Sequence, residues 1–258
     1  MHLLYPKHLK KLLPLFDSLE DTLILSCLQN HMGRAWADHL EQPTFAVLQV
    51  SDFVFLAGDV SSPYVIPFLK ELLTVTERDL LLIITKDETF GNILQNLYGD
   101  KFKAIKRYRL QMPPQFDTVL LQNIINHIPS GYTLCPLEGK WYDQALKEDW
   151  SRDLVSSFGS LEDYTARGLG MVLIKDGEIV SGASSYSIYT GGLEIEIDTK
   201  EPYRKQGLAL IVGAALILAA LQKGLDPHWD AANETSVRLA QRLGYLYQGS
   251  YTTYLISQ

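Results

Sequence analysis

Residues 193–209 read Leu-Glu-Ile-Glu-Ile-Asp-Thr-Lys-Glu-Pro-Tyr-Arg-Lys-Gln-Gly-Leu-Ala. Two kinds of chemistry could be carried here. Glu194, Glu196 and Asp198 alternate with Leu193, Ile195 and Ile197. At the two-residue period of a β-strand, that places three carboxylates on one face and three apolar side chains on the other. A carboxylate held beside a reacting group can take up its proton, directly or through water. The loop that follows carries Arg204, Lys205 and Gly207, just ahead of an apolar run. Unsatisfied N–H groups at a helix start, a glycine that permits close approach and two cations make a cradle for a pyrophosphate. A basic loop before a helix is, alone, more often a solvated turn.

Other motifs are absent. No G-x-x-x-x-G-K-[ST] stands in the chain, nor H-E-x-x-H, and the six histidines are scattered without ligand spacing. Gly182-Ala-Ser-Ser-Tyr lacks the second glycine of a nucleophile elbow. Cys27 and Cys135 are single cysteines, which excludes a thiolate zinc site and fits a reducing cytoplasm. No metal is expected.

The elements that must position these residues can be read from periodicity. In the first half, helical stretches lie near 7–16 and 19–30, and paired β-type runs at 45–50 and 53–57. A helix near 64–73, a buried strand at 80–85, a helix near 89–98 and a basic edge strand at 102–110 follow. A helix over 116–128 leads to Pro129-Ser130-Gly131, the expected boundary between domains 1–128 and 129–258. The second half opens with a strand at 132–135 and short helices at 141–148 and 152–158. Asp176-Gly177 marks a hairpin between strands 171–175 and 179–189. The carboxylate strand 193–199, a long helix 207–223, a short strand 227–231, a helix 235–243 and a strand 245–256 complete it. Both halves share the order paired strands, helix, strand, helix, strand. This suggests a duplication with a diverged first copy; chance likeness between short α/β units is the plain alternative.

Residues 228–245 read His-Trp-Asp-Ala-Ala-Asn-Glu-Thr-Ser-Val-Arg-Leu-Ala-Gln-Arg-Leu-Gly-Tyr. With Tyr203-Arg204-Lys205-Gln206-Gly207-Leu208-Ala209, this resembles the GNAT acetyltransferase superfamily, and most of all its family with zwittermicin A resistance-like members. The first stretch is similar to the R/Q-x-x-G-x-G/A pyrophosphate loop, the second to the N-x-x-[SA]-x-x-L region that closes on Leu-Gly-aromatic. The likeness covers about residues 165–250.

The resemblance implies an α/β (α+β) GNAT fold: a mixed, largely antiparallel central sheet that splays open, here after a smaller α/β domain without a cofactor signal. It implies acetyl-CoA as co-substrate, its pantetheine arm lying between strands 193–199 and 227–231. By position, Ile197 and Thr199 would supply backbone groups, and Arg204, Lys205, Gln206, Gly207, Leu208 and Ala209 the pyrophosphate loop. Asn233 would meet the cofactor near its pantetheine end, with Ser236 one turn later. Trp141 and Trp150 stand where members often build the substrate wall. Many members carry a general-acid tyrosine seven residues after that asparagine, where this chain has Ala240. The amine acceptor must lose a proton before it attacks, and Glu196, then Glu194, are the expected bases. Trp229 is expected in the core, and Tyr245 and Tyr247 as core or strand residues.

Composition bounds the reading. The chain has 258 residues, 47% hydrophobic and 21% charged, with net charge −7. That excludes disorder and disfavours a nucleic-acid binder. The longest apolar run, 208–221, has 14 residues against the roughly 20 of a membrane span, so no membrane association is expected and the location is read as cytoplasmic. The expected function is an N-acetyltransferase moving acetyl to a primary amine of a small molecule by direct attack in a ternary complex. A non-catalytic acyl-CoA sensor and a protein or peptide N-acetyltransferase are the alternatives.

Overall fold

A computed structural model describes residues 1–258. Along the chain the strands are β1 (His2–Leu3), β2 (Arg34–Ala37), β3 (Phe45–Val50), β4 (Phe53–Gly58), β5 (Leu80–Ile84), β6 (Phe102–Gln111), β7 (Thr133–Pro136), β8 (Gly170–Lys175), β9 (Glu178–Tyr189), β10 (Gly192–Thr199), β11 (Asp226–His228), β12 (Asp230–Ala231) and β13 (Leu246–Ser257). The α-helices are α1 (Pro6–Leu9), α2 (Leu13–Phe16), α3 (Thr22–Leu28), α4 (Val65–Lys70), α5 (Leu72–Thr76), α6 (Glu88–Tyr98), α7 (Thr118–Ile125), α8 (Lys140–Lys147), α9 (Leu161–Arg167), α10 (Leu208–Gln222) and α11 (Glu234–Leu243).

The chain divides into two compact units, one of residues 1–107 with 251–258 and one of residues 108–250. Pro129-Ser130-Gly131, expected as the boundary, lies inside the second unit. The change of unit instead falls within β6 and β13, whose extended backbone carries no turn chemistry to mark it.

In the first unit β1 to β4 pair antiparallel in sequence order, β4 pairs parallel with β5, and the end of β13 pairs antiparallel with β5. Strands β3 and β4 are buried on both faces apart from Gly58, which explains their unbroken apolar runs. Phe45, Val47, Val54, Leu56, Leu81 and Ile83 meet Val65, Phe68, Leu72 and Phe90 from the helices in one core. Cys27 is buried on α3, its Sγ 3.5 Å from the Arg34 carbonyl. Burial pushes its thiol up to about 12, while Cys135 on β7 is only partly buried. An alkylating reagent at neutral pH is therefore expected to modify Cys135 and spare Cys27 in the native protein, because the thiolate is the reactive form. Peptide mass spectrometry reads the result, and equal labelling of both thiols would contradict it.

The second unit is a five-stranded sheet in the order β11-β10-β9-β8-β7, antiparallel except for the parallel β10–β11 pair. The β8–β9 hairpin turns on Asp176 and Gly177, both at positive φ, 51° and 81°, the requirement of a type I′ turn. Helix α10 is apolar almost all round and buried along most of its length. Such a helix has no solvent face: β8, β9 and β10 pack on one side and α7 and α11 on others. Leu208, Leu210, Ile211, Leu216 and Ile217, its buried leucines and isoleucines, each contribute about 1.5–3 kcal/mol on burial, which anchors its N-terminal loop. No helix is long and apolar enough to cross a membrane.

The two units repeat one local plan: an antiparallel pair (β3–β4, β9–β10), then a parallel pair (β4–β5, β10–β11) reached through helices. In both, the parallel pairing is three residues long and the earlier strand runs on past it. Strand β6, read from sequence as an edge, has β13 and β12 as its neighbours in the sheet order. Its basic residues did not disclose that position.

Candidate active site

The site is built where β10 and β11 part. They pair at Gly192↔Asp226, Leu193↔Pro227 and Glu194↔His228, and no further. The chain then turns at Trp229, and Asp230–Ala231 pairs with Arg109 and Tyr108 of β6. The single strand expected at 227–231 is thus two short pieces serving different partners. From Ile195 to Thr199, β10 keeps its pairing with β9 but has no strand on the other edge. Lys200 N–H donates to the Val180 carbonyl on the β9 side. Antiparallel pairing alternates edges, so the backbone groups of Ile195, Ile197 and Thr199 turn to the open edge. At Thr199 both are already engaged: its N–H donates to Asp198 Oδ1 at 2.6 Å, and its carbonyl accepts from Arg204 Nε at 2.9 Å. Of the two expected backbone positions, Ile197 is the one left presenting donor and acceptor to the wedge.

At the end of β10 the loop enters α10 with Lys205 at φ 63° and Gly207 at φ 81°. Gly207 is the N-cap in the left-handed region and has no side-chain cap. The N–H groups of residues 205–209 have no acceptor within the chain, and a Cβ at 207 would meet nothing within 4 Å. This is an open, outward ring of donors at the positive end of a 15-residue helix. Lys205 and Gln206 are exposed beside it, Leu208 is buried as its apolar anchor, and Ala209 is partly covered. Gln206 Oε1 also accepts from Tyr132 Oη at 3.2 Å. Arg204 turns back onto β10, its Nη2 lying 3.5 Å from Asp198 Oδ1, so it braces the loop as well as charging it. Burial raises the Asp198 carboxyl, opposed by the Thr199 N–H and by Arg204.

The carboxylates stand in different settings. Glu194 is buried; its Oε2 lies 2.8 Å from His228 Nδ1, and its Oε1 accepts the Asp230 N–H at 2.6 Å. Glu196 is partly exposed on the open stretch of β10. Its cross-strand partner is Ser184, itself paired with Gly170 on β8. The Tyr164 hydroxyl lies 2.7 Å from Ser184 Oγ and occupies the space a Cβ at 170 would need, so glycine there admits the ring. Beyond Asp198, Lys200 Nζ pairs with Glu148 Oε2 at 3.0 Å, and Trp150 Nε1 donates to the same carboxylate at 2.7 Å. Burial raises the Glu148 carboxyl, but the Trp150 and Lys200 hydrogen bonds outweigh it and leave it below its usual range.

Asn233 caps α11: its Oδ1 accepts from Ser236 N at 3.0 Å, with Ser236 Oγ at 3.4 Å. Its amide therefore has a fixed orientation on an exposed residue. Ala240 is fully buried. Trp229 packs edge-on against Tyr245 with centroids 5.7 Å apart, in the core as expected. Tyr245 Oη donates to the Pro227 carbonyl at 2.5 Å, while Tyr247 is exposed. Lys140 Nζ sits 4.3 Å over the Trp141 ring. The residues that sequence reasoning missed are His228, Ser184 with Tyr164, and the Glu148–Lys200 pair. Each is defined by strand register or tertiary contact, and none by a local pattern.

The family model for GNAT acetyltransferases matches residues 13–254. The uncharacterized N-acetyltransferase YdfB of Bacillus subtilis (strain 168) is 24% identical over 252 residues, 92% of this chain and 91% of that protein. A crystal structure of a GCN5-related N-acetyltransferase-like protein from Streptococcus suis 89/1591 superposes with a TM-score of 0.88 at 34% identity, covering 98% of this chain and 99% of that one. A tandem GNAT protein from the clavulanic acid biosynthesis pathway shares the fold at 11% identity and a TM-score of 0.58, covering 99% of this chain and 98% of that one.

Proposed function

The chain belongs to the GNAT acetyltransferase family, and on that footing we propose that it moves acetyl from acetyl-CoA to a primary amine of a small molecule, by direct attack in a ternary complex. Acetyl transfer with acetyl-CoA as co-substrate goes with the family; the acceptor class and the direct attack are our reading. One conjunction carries it: an open strand edge at Ile197 leads into an unsatisfied ring of N–H donors at 205–209.

The chain's residues fit that co-substrate. Ile197 offers strand-like pairing to an extended amide-bearing arm. The ring at Lys205, Gln206, Gly207, Leu208 and Ala209 offers donors to a pyrophosphate, with Lys205 and Arg204 adding charge. Thr199 acts through Arg204 by fixing the loop. The Asn233 amide, oriented through its cap on Ser236, would meet the cofactor near its pantetheine end. Bound there, acetyl-CoA supplies the acyl group as a thioester. Glu196 takes the proton an ammonium acceptor must lose, and the acidic strand face and the net charge of −7 suit a cationic amine. Direct attack is supported by the cysteine positions: neither lies on β10 or β11, and Cys135 is on β7, three strands and about 14 Å from β10.

Acetyl-CoA is expected to raise the melting temperature, since a ligand of the native state stabilises it by mass action. Thiol release with a panel of small amines should then identify acceptors. No thermal shift and no calorimetric heat at millimolar acetyl-CoA would sink the reading. Binding without transfer to any amine would make the chain an acyl-CoA-binding module. Transfer to peptides alone would make it a protein N-acetyltransferase.

A further inference from the structure

We propose that His228 is the proton shuttle of the acetyl-transfer step, oriented by Glu194; this rests on the acetyl-transfer reading above. Glu194 and His228 are the last paired residues before β10 and β11 part. Their side chains stand at the apex of the wedge, on the carboxylate face. His228 Nδ1 lies 2.8 Å from Glu194 Oε2, and the other carboxylate oxygen is held by the Asp230 N–H at 2.6 Å. The carboxylate is clamped from both sides of the apex and accepts only. In the neutral ring the proton therefore sits on Nδ1 and the lone pair on Nε2. The imidazole side chain is 29% exposed and the carboxylate 8%, so the open part of the ring is the edge away from Glu194. A buried carboxylate behind an imidazole fixes its tautomer and steadies its cationic form. One imidazole can then take a proton from a nucleophile and give it to a leaving group.

The proton accounting has a place for such a group. An ammonium acceptor loses two protons on becoming an amide, while the departing sulfur gains one. Glu196 passes the first proton to solvent. As the C–N bond forms and the C–S bond breaks, His228 Nε2 takes the second proton from nitrogen and delivers it to sulfur. His228 ends neutral, as it began, and no charge is left behind. The tyrosines coupled to Glu194 are poor substitutes. Burial raises both Tyr189 and Tyr245, with nearby carboxylates adding to it, and the Tyr245 hydroxyl is already given to Pro227. Glu194, with both oxygens occupied, is a positioning residue and not the base.

Nitrogen-15 NMR of the full-length wild-type protein tests this without turnover. The His228 ring should show the Nδ1-protonated tautomer, and CoA should perturb its Nε2 resonance while desulfo-CoA does so much less. Glu194→Gln should introduce the other tautomer. His228→Gln should lower kcat by about tenfold with the KM for acetyl-CoA unchanged. The loss is modest because a thiol with a pKa near 8.5 is a tolerable leaving group unaided. An Nε2-protonated ring, or equal responses to CoA and desulfo-CoA, overturns the shuttle. So does unchanged kcat in His228→Gln. Absence of calorimetric heat with CoA overturns the acetyl-transfer reading itself, whereas normal heat with an unresponsive Nε2 overturns the shuttle alone.

Discussion

Glu196→Gln is expected to lower turnover with a good amine acceptor by on the order of 10² or more, with acetyl-CoA affinity nearly unchanged. The substitution keeps the shape of the side chain and removes its basicity. Glu196 lies on the stretch of β10 that has lost its strand partner on one edge, beside Ser184 on the next strand. The loss should shrink as pH rises. A simple primary amine has a pKa near 10.4, so at neutral pH almost all of it is protonated and the base is needed. At alkaline pH more arrives already neutral, and the variant approaches wild type. Steady-state kinetics from neutral to alkaline pH measure this. A pH-independent deficit would assign Glu196 to binding, and an unchanged rate would remove it from the mechanism. Glu194→Gln should act differently, since it disturbs the His228 ring.

Why β10 was legible in full, while β11 was read only as part of one strand with β12, has a physical reason. Alternation in 193–199 is a local pattern, and the Arg-Lys-Gln-Gly loop is a local pattern before a helix that could only be buried. Register is not local. That His228 meets Glu194, 34 residues earlier, depends on where a three-residue parallel pairing stops, and a run such as Asp-Pro-His-Trp-Asp carries no period to show it. Strand β2 was missed for a similar reason: Arg34-Ala35-Trp36-Ala37 is four residues long with one strong β-former. It is held by neighbours on both sides. The Asp176-Gly177 turn and the long apolar helix were read correctly, because φ and burial constrain residue type directly. The change of unit inside β6 and β13 escaped because a strand running through has no punctuation.

Gly207→Val is expected to weaken acetyl-CoA binding by roughly 10² or more while the unliganded protein stays folded. Two effects separate here. The first acts on the free protein: Gly207 has φ 81°, a region that disfavours a β-branched side chain by about 1–2 kcal/mol. In a chain of this size that lowers the melting temperature by about 2–8 °C. No clash adds to it, because a Cβ at 207 meets nothing within 4 Å. The second acts only on the complex. The space above Gly207 is where an anion must come to reach the N–H groups of 205–209, and branched methyls there hold it off. Each charge-assisted hydrogen bond lost costs about 1.5–3 kcal/mol, so losing one or two gives the expected weakening. Gly207→Ala pays similar backbone strain with only one methyl in the way, and should retain part of the affinity. Thermal melts with and without acetyl-CoA read both effects in one experiment. The Val variant should melt a few degrees lower alone and gain nothing from ligand, and the Ala variant should gain an intermediate amount. If the Val variant gains as much from acetyl-CoA as wild type, the donor ring at the start of α10 does not hold the pyrophosphate.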